Sequence, residues 1–214
     1  RTPRVEPRKP ARPAPAPAQI ADPVPRPGSK GHMSDRRPGQ SVAERIAALD
    51  IERANWARGE DGEKLVAAEL DGLSPDRWRV FHSIPRGPSG TDIDHLVIGV
   101  GGVFTLNTKN VSANVWVAER VLMVGGTRKS YLPAAVHEAN DVARRLEWSG
   151  SSSSVDVRPV LVFTRPVTIK AMPADVSVID AGAVRRWLES QAHVLTPAQV
   201  HEIARVADRP ATWT

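Results

Sequence analysis

From Asp92 to Lys109, two runs rich in branched aliphatic residues lie on either side of Gly101-Gly102, and both carry polar groups at the end away from the glycines. Branched and aromatic residues favour extended chain, and a Gly-Gly pair favours a reversal. The stretch therefore predicts two strands, Asp92 to Val100 and Val103 to Lys109, paired as a hairpin. Side chains alternate along a strand. Asp92 and Asp94 then share one face of the first strand. Asn107 and Lys109 share one face of the second, and Thr108 takes the other. In such a hairpin Asp94 lies near the Asn107/Lys109 pair at the open end. An aspartate in so apolar a strand is costly to bury without a partner, so the open end is where chemistry is expected.

The remaining chain predicts helices and further strands around that hairpin. Ser41-Val42-Ala43-Glu44 has capping-box spacing and predicts a helix from Ser41 to about Ala54. Leu65, Val66, Leu70 and Leu73 recur at helical spacing and predict a second helix from Gly59 to Leu73, closed by Gly72 and Pro75. Arg77 to Ile84 reads as a strand. Val115-Trp116-Val117 and Val121-Leu122-Met123-Val124 read as a further hairpin, turning again at Gly125-Gly126. Ala134 to Trp148 predicts a helix, and Ser149 to Ser154 a flexible loop. Val155 to Thr164 predicts an apolar strand ended by Pro166, and Val176 to Ile179 a short one. Ala183 to Ser190 and Pro197 to Val206 predict helices, the second capped by Thr196. This order predicts an α/β (α+β) domain with a central mixed β-sheet flanked by helices.

Residues 1–40 differ in kind. They are rich in Pro, Ala and Arg, and proline supplies no backbone donor and favours extended chain. They read as a disordered tail or linker, with residues 41–214 as one folded domain. Its motif-dense core is at 59–124 and its C-terminal helices at 183–208. The start at Arg1 reads as a fragment or a processed product. Met33 reads as a natural start, or Gly28-Ser29-Lys30-Gly31-His32-Met33 as a cloning remnant. The net charge of +5 belongs to the tail. Residues 1–40 hold nine Lys/Arg and three Asp/Glu, whereas residues 41–214 hold twenty and twenty-one. A nucleic-acid function must therefore rest on a site rather than on bulk charge. The tail's arginines add salt-sensitive attraction to phosphate and offer a contact for protein partners. The absence of cysteine excludes a thiolate metal site and a cysteine nucleophile, and fits a reducing, cytoplasmic setting. No apolar run approaches the ~18 residues of a spanning helix, so no membrane partner is expected.

Two or three oxygen ligands and an ammonium at one hairpin end, beside a helix carrying Glu63, would suit a small hard cation such as Mg²⁺ or Mn²⁺. Such an ion polarises a phosphodiester and lowers the pKa of a bound water. A neighbouring lysine stabilises charge developing on the phosphate. The chain holds six Lys among twenty-nine basic residues, so a lysine at 109, beside a polar residue in an apolar strand, stands out. The tryptophans Trp56, Trp78, Trp116, Trp148, Trp187 and Trp213 read first as packing residues and second as stacking surfaces for bases.

Gly62-Glu63 at a helix, Asp92-Ile93-Asp94-His95-Leu96-Val97, and Gly102-Val103-Phe104-Thr105-Leu106-Asn107-Thr108-Lys109-Asn110 together resemble the nuclease-related domain, known as NERD. That family is placed in the PD-(D/E)xK nuclease superfamily, whose core runs helix, three strands, helix, strand. The resemblance implies Glu63 as the helix acid, Asp94 as the central metal ligand and Lys109 as the catalytic lysine. Asp92 and His95 would support them. The implied reaction is metal-dependent cleavage of nucleic acid, chiefly DNA. Asn107 departs from the pattern, which asks for Asp or Glu there. Asn offers a carbonyl oxygen but no charge. An acid from elsewhere could replace it, with Glu138, beside His137, as the candidate and Glu60 and Asp61 as weaker ones. The other reading is a nuclease fold that binds nucleic acid or protein without cutting. A third is an interaction domain of a larger protein, anchored by its tail.

Overall fold

The computed structural model describes residues 40–85, 92–146 and 155–213. Residues 1–39 of the expected tail, the loop at 149–154, Thr91 and Trp148 lie outside them, and Gln40, the last residue of that tail, starts a helix. Contacts divide the chain into residues 1–46 and a compact unit from Ala47 to Thr214. Among the described residues, the compact unit holds every strand and every helix, apart from the start of the first helix.

The first helix, α1, runs unbroken from Gln40 to Leu70. The expected pair of helices, with a cap at Ser41 and a new start near Gly59, is therefore corrected. Each glycine inside a helix costs about 1 kcal/mol relative to alanine, and α1 holds two, Gly59 and Gly62. The Ala-, Glu- and Arg-rich sequence on both sides outweighs them. Glu63 accordingly lies well inside α1, and a first-turn role at the helix dipole does not apply to it.

The large sheet has the order β1-β2-β3-β7-β9, formed by Trp78–Pro85, Asp92–Gly99, Gly102–Lys109, Val157–Phe163 and Ser177–Asp180. β1, β2 and β3 are antiparallel, and β3, β7 and β9 are parallel. The expected hairpin is present: Gly99 pairs with Gly102 and His95 with Leu106. Gly102 has φ +128°, and a Cβ there would meet the Arg158 guanidinium, which also bonds the Gly101 carbonyl.

A second sheet has the order β6-β5-β4-β8, formed by Thr127–Lys129, Val121–Val124, Val115–Ala118 and Val167–Ile169. Its central hairpin was expected, but its three-residue edge strands β6 and β8 were not. α2, Tyr131–Arg145, starts before the expected Ala134 because Pro133 fits a first helical turn, whose N–H groups lack intrahelical partners anyway. α3 is Val184–Glu189 and α4 is Pro197–Ala207. Thr196 and Gln199 close a full capping box on α4.

Alternation along the strands sorts the core into layers. Phe104, Leu106, Val160 and Val162 pack with Val66 and Leu70 of α1 and Val184 and Leu188 of α3. On the opposite face Leu96, Ile98 and Val103 pack with Val142 of α2 and Ile203 of α4. The small sheet buries Val115, Val117 and Leu122 against Leu132 and Ala135 of α2. Trp78 and Trp213 are buried, and Trp187 packs edge-on to Phe104. These three tryptophans are packing residues. The fold is the helix-flanked, mixed α+β sheet that the element order predicts, and it is consistent with the restriction-endonuclease-like core of the superfamily that the resemblance implies.

Candidate active site

The open end of the β2–β3 hairpin gathers groups from four elements. Odd-numbered residues of β3 face α2, so Asn107 and Lys109 point to that side and Thr108 to the side of α1. Asp94, in step with Leu96 and Ile98, shares the α2 side. Its Oδ2 accepts the backbone N–H of Thr108 at 2.7 Å, which locks the carboxylate across the two strands. Lys109 Nζ donates to Asn107 Oδ1 and lies 5.2 Å from the centroid of the Tyr131 ring, at the start of α2. Asn107 Nδ2 donates to Glu138 Oε2 at 3.4 Å, and Glu138 is only 6% exposed.

α1 brings Glu63 to this end through a close approach. A Cβ on Gly62 would lie 2.9 Å from the Asn110 Cβ and 3.3 Å from Cγ2 of both Thr108 and Thr164. Asn110 fastens the contact: it donates to the Arg58 carbonyl at 2.8 Å and accepts from Thr164 Oγ1 at 2.8 Å. No local pattern assigns Asn110 a role. Its place in Thr108-Lys109-Asn110 was the available signal, and the structure makes it the clamp between α1, β3 and β7. Tyr131 was likewise missed, because nothing local distinguishes it from a packing aromatic.

Electrostatically the site is acidic and crowded. Burial pushes the Asp94 carboxyl up, with the nearby Asp92 charge adding to the rise, against the Thr108 N–H and Lys109. Burial also pushes Glu63 up, with Asp94 the next cause and Lys109 opposing. Two carboxylates that resist ionising, facing one ammonium, form an oxygen-rich group that a hard cation would relieve. Among the described residues no group of three or more His, Cys, Asp or Glu is arranged to hold a metal ion. Ligation here would therefore use one or two carboxylates and waters, the arrangement Mg²⁺ tolerates. On that donor chemistry Asp94 and Glu63 fit such an ion, with the Asn107 carbonyl as an uncharged third ligand.

The other expected residues divide. Asp92 is exposed at the start of β2 and acts on the site through its charge. Glu60 pairs with Lys64 at 2.7 Å on the solvent side of α1. His137 is exposed and lines a cleft of about 810 Å³ with Arg120, Arg128 and Met172. His95 is 2% exposed and pairs with His82 through their Nδ1 atoms at 2.8 Å. It faces away from Asp94 by alternation along β2.

Burial, and the His82 charge after it, depresses His95 to about 4. An unfolded histidine titrates near 6.5. Between those values the unfolded chain binds a proton that the folded chain refuses, so this contribution is complete above pH 6.5 and is lost as pH falls toward 4. The expected loss is on the order of 3 kcal/mol. Glu63 and Asp94 act in the opposite sense at the acid end, because their raised carboxyls favour the protonated folded state. Urea unfolding at pH 7 and pH 5 should show the decline in wild type and a flatter profile in His95→Asn. Equal slopes in both would refute the assignment.

The nuclease-related domain family matches residues 58–164. An uncharacterized protein of Bacillus anthracis is 36% identical over 97 residues, covering 42% of this chain and 46% of that protein. The chain thus spans about half the length of that relative. No solved structure matches.

Proposed function

Because the chain belongs to the nuclease-related domain family, within the PD-(D/E)xK superfamily, we propose that it is a metal-dependent nuclease that cuts DNA phosphodiesters. The observation carrying this reading is the convergence of Glu63, Asp94 and Lys109 on one end of the sheet, with both carboxyls raised by burial and charge. Asp94 and Glu63 would hold Mg²⁺ or Mn²⁺, which when bound supplies a polarised phosphate and an acidified water. Asp94 is preset by the Thr108 N–H and needs little reorganisation. Lys109 is held by the Asn107 carbonyl and the Tyr131 ring with its ammonium at the same end. From there it orients the attacking water or stabilises charge on the scissile phosphate. Packing at Gly62 sets how near Glu63 comes.

Asn107 leaves the strand one charge short, and Glu138 supplies that charge from α2. Its carboxylate lies beside the Asn107 amide, close enough to act on the same water or ion. Glu138→Gln should lower cleavage about 10–100-fold, the usual effect of losing a supporting partner at a metal site. Adding Asn107→Asp to that variant moves the acid back to the strand and should recover most of the loss. A double variant as poor as Glu138→Gln alone would make Glu138 a packing residue.

The second reading is a nuclease fold that binds without cutting. What favours it is the neutral Asn107 bound to the Lys109 ammonium. It predicts nucleic-acid binding that survives chelation and no cleavage with any divalent ion. The basic residues 1–40 serve either reading by adding salt-sensitive attraction to phosphate.

A further inference from the structure

The small sheet stands at the end of the large sheet where the site lies. β4 follows β3 and β8 follows β7, and both connections leave from the same end of that parallel pair. They are tied there by Arg165, which donates to the Ser112 carbonyl at 2.7 Å. At the other edge β6 is followed, after Ser130, by Tyr131, whose ring meets Lys109. One face of the small sheet is spent on α2. On the opposite face the strand register lines up Thr168, Trp116, Met123 and Arg128 across all four strands, and Arg128, on the edge strand, also borders the cleft beside α2. Lys170, two residues beyond Thr168, places its ammonium 4.5 Å from the Trp116 ring centroid. Arg128 and Lys170 are exposed, and Trp116 and Met123 are partly so.

Charge is concentrated here. Residues 111–130 and 165–176 contain five Lys/Arg against two Asp/Glu, in a folded region that is otherwise slightly acidic. A tryptophan flanked by cations is a poor protein-docking core, which depletes lysine. It matches what a nucleic-acid strand needs, phosphate contacts beside a ring that accepts any base or sugar face. We infer that the outward face of the small sheet is the track on which a nucleic-acid strand lies as it enters the site. Arg128 and Lys170 meet phosphates there, and Trp116 meets a base. The inference rests on the nuclease reading for its choice of polyanion.

The test is fluorescence anisotropy of a labelled oligothymidine with the full chain, in EDTA so that nothing is cut, over a series of salt concentrations. Arg128→Gln/Lys170→Gln should weaken binding at least tenfold at low salt, and should lower the slope of log K against log salt by about 1.4, since each single-strand contact contributes about 0.7. Trp116→Ala should weaken binding roughly tenfold. Arg128→Lys/Lys170→Arg, which keeps both charges, should bind like wild type. If wild type binds and the double Gln variant matches it in affinity and slope, the track is wrong and the nuclease reading stands. If wild type does not bind, the track is wrong, and cleavage of duplex or branched DNA in Mn²⁺ decides the nuclease reading separately. If phosphatidylserine vesicles, and not the oligonucleotide, lose binding in the double variant, the face is a membrane contact and the inference is overturned.

Discussion

Asp94→Asn should abolish cleavage and make the protein more stable. Asn is nearly isosteric and its carbonyl still accepts the Thr108 N–H that Asp94 accepts at 2.7 Å. It removes the charge that burial and Asp92 both oppose, and it relieves Glu63, whose carboxyl Asp94 pushes up. Raised carboxyls favour the protonated folded state, so the penalty grows as pH rises and the carboxyls ionise. Neutralising a strained functional group of this kind yields about 0.5–2 kcal/mol, or a Tm increase of a few degrees for a domain this size. Activity should fall by more than about a hundredfold, since even outer partners of a metal site cost 10–100-fold. Asp94→Ala loses the Thr108 bond as well and should gain less or be destabilised. Thermal unfolding of the three proteins at pH 7 checks the order. A less stable Asp94→Asn would mean that Asp94 is structural.

Gly62→Val should be the most damaging substitution in α1. Its Cβ alone would lie 2.9 Å from the Cβ of Asn110, which sits close to backbone and cannot swing away. Overpacking of this sort costs about 1–3 kcal/mol, and valine's branches add to it. The gain from replacing glycine in a helix, about 1 kcal/mol at best, does not offset that. Moving α1 outward carries Glu63 away from Asp94, so activity should fall further than stability. Gly59 is the control. A Cβ there meets nothing within 4 Å, so Gly59→Ala should stabilise by up to about 1 kcal/mol. Denaturant midpoints of Gly59→Ala, Gly62→Ala and Gly62→Val should fall in that order. Equal effects at 59 and 62 would refute the close-packing account.

The parts of this molecule legible in its sequence are those governed by local periodicity. The β2–β3 hairpin, the α4 cap at Thr196 and the apolar run of β7 each carry their own pattern, and alternation alone places Asp94 with Asn107 and Lys109. What was not legible depends on distant partners. Gly59 looks like a helix boundary until the strong helix formers on both sides are weighed against it. β6 and β8 are three residues long, too short to show an alternation, and exist through pairing with β5 and β4. Asn110 gains meaning only when β7 arrives beside it, and Tyr131 only when α2 packs its ring against Lys109 of β3. Glu138 was visible as an acid on a helix. That it turns inward to Asn107 while His137 turns out follows from the roughly 100° between successive helix residues, fixed by which face packs on β3 and β7.

The central claim is that Glu63, Asp94 and Lys109 form a metal-dependent cutting site. The full chain, incubated with single-stranded, duplex and branched DNA in Mn²⁺ or in EDTA, tests it most directly, with Asp94→Asn and Lys109→Met purified alongside. The account predicts products with Mn²⁺ alone. They should be absent in Asp94→Asn and reduced about 10²–10³-fold in Lys109→Met, the range for losing one group that stabilises the transition state. Intact DNA in every lane, from protein that melts as a folded domain, would contradict it, as would equal cleavage by wild type and Asp94→Asn.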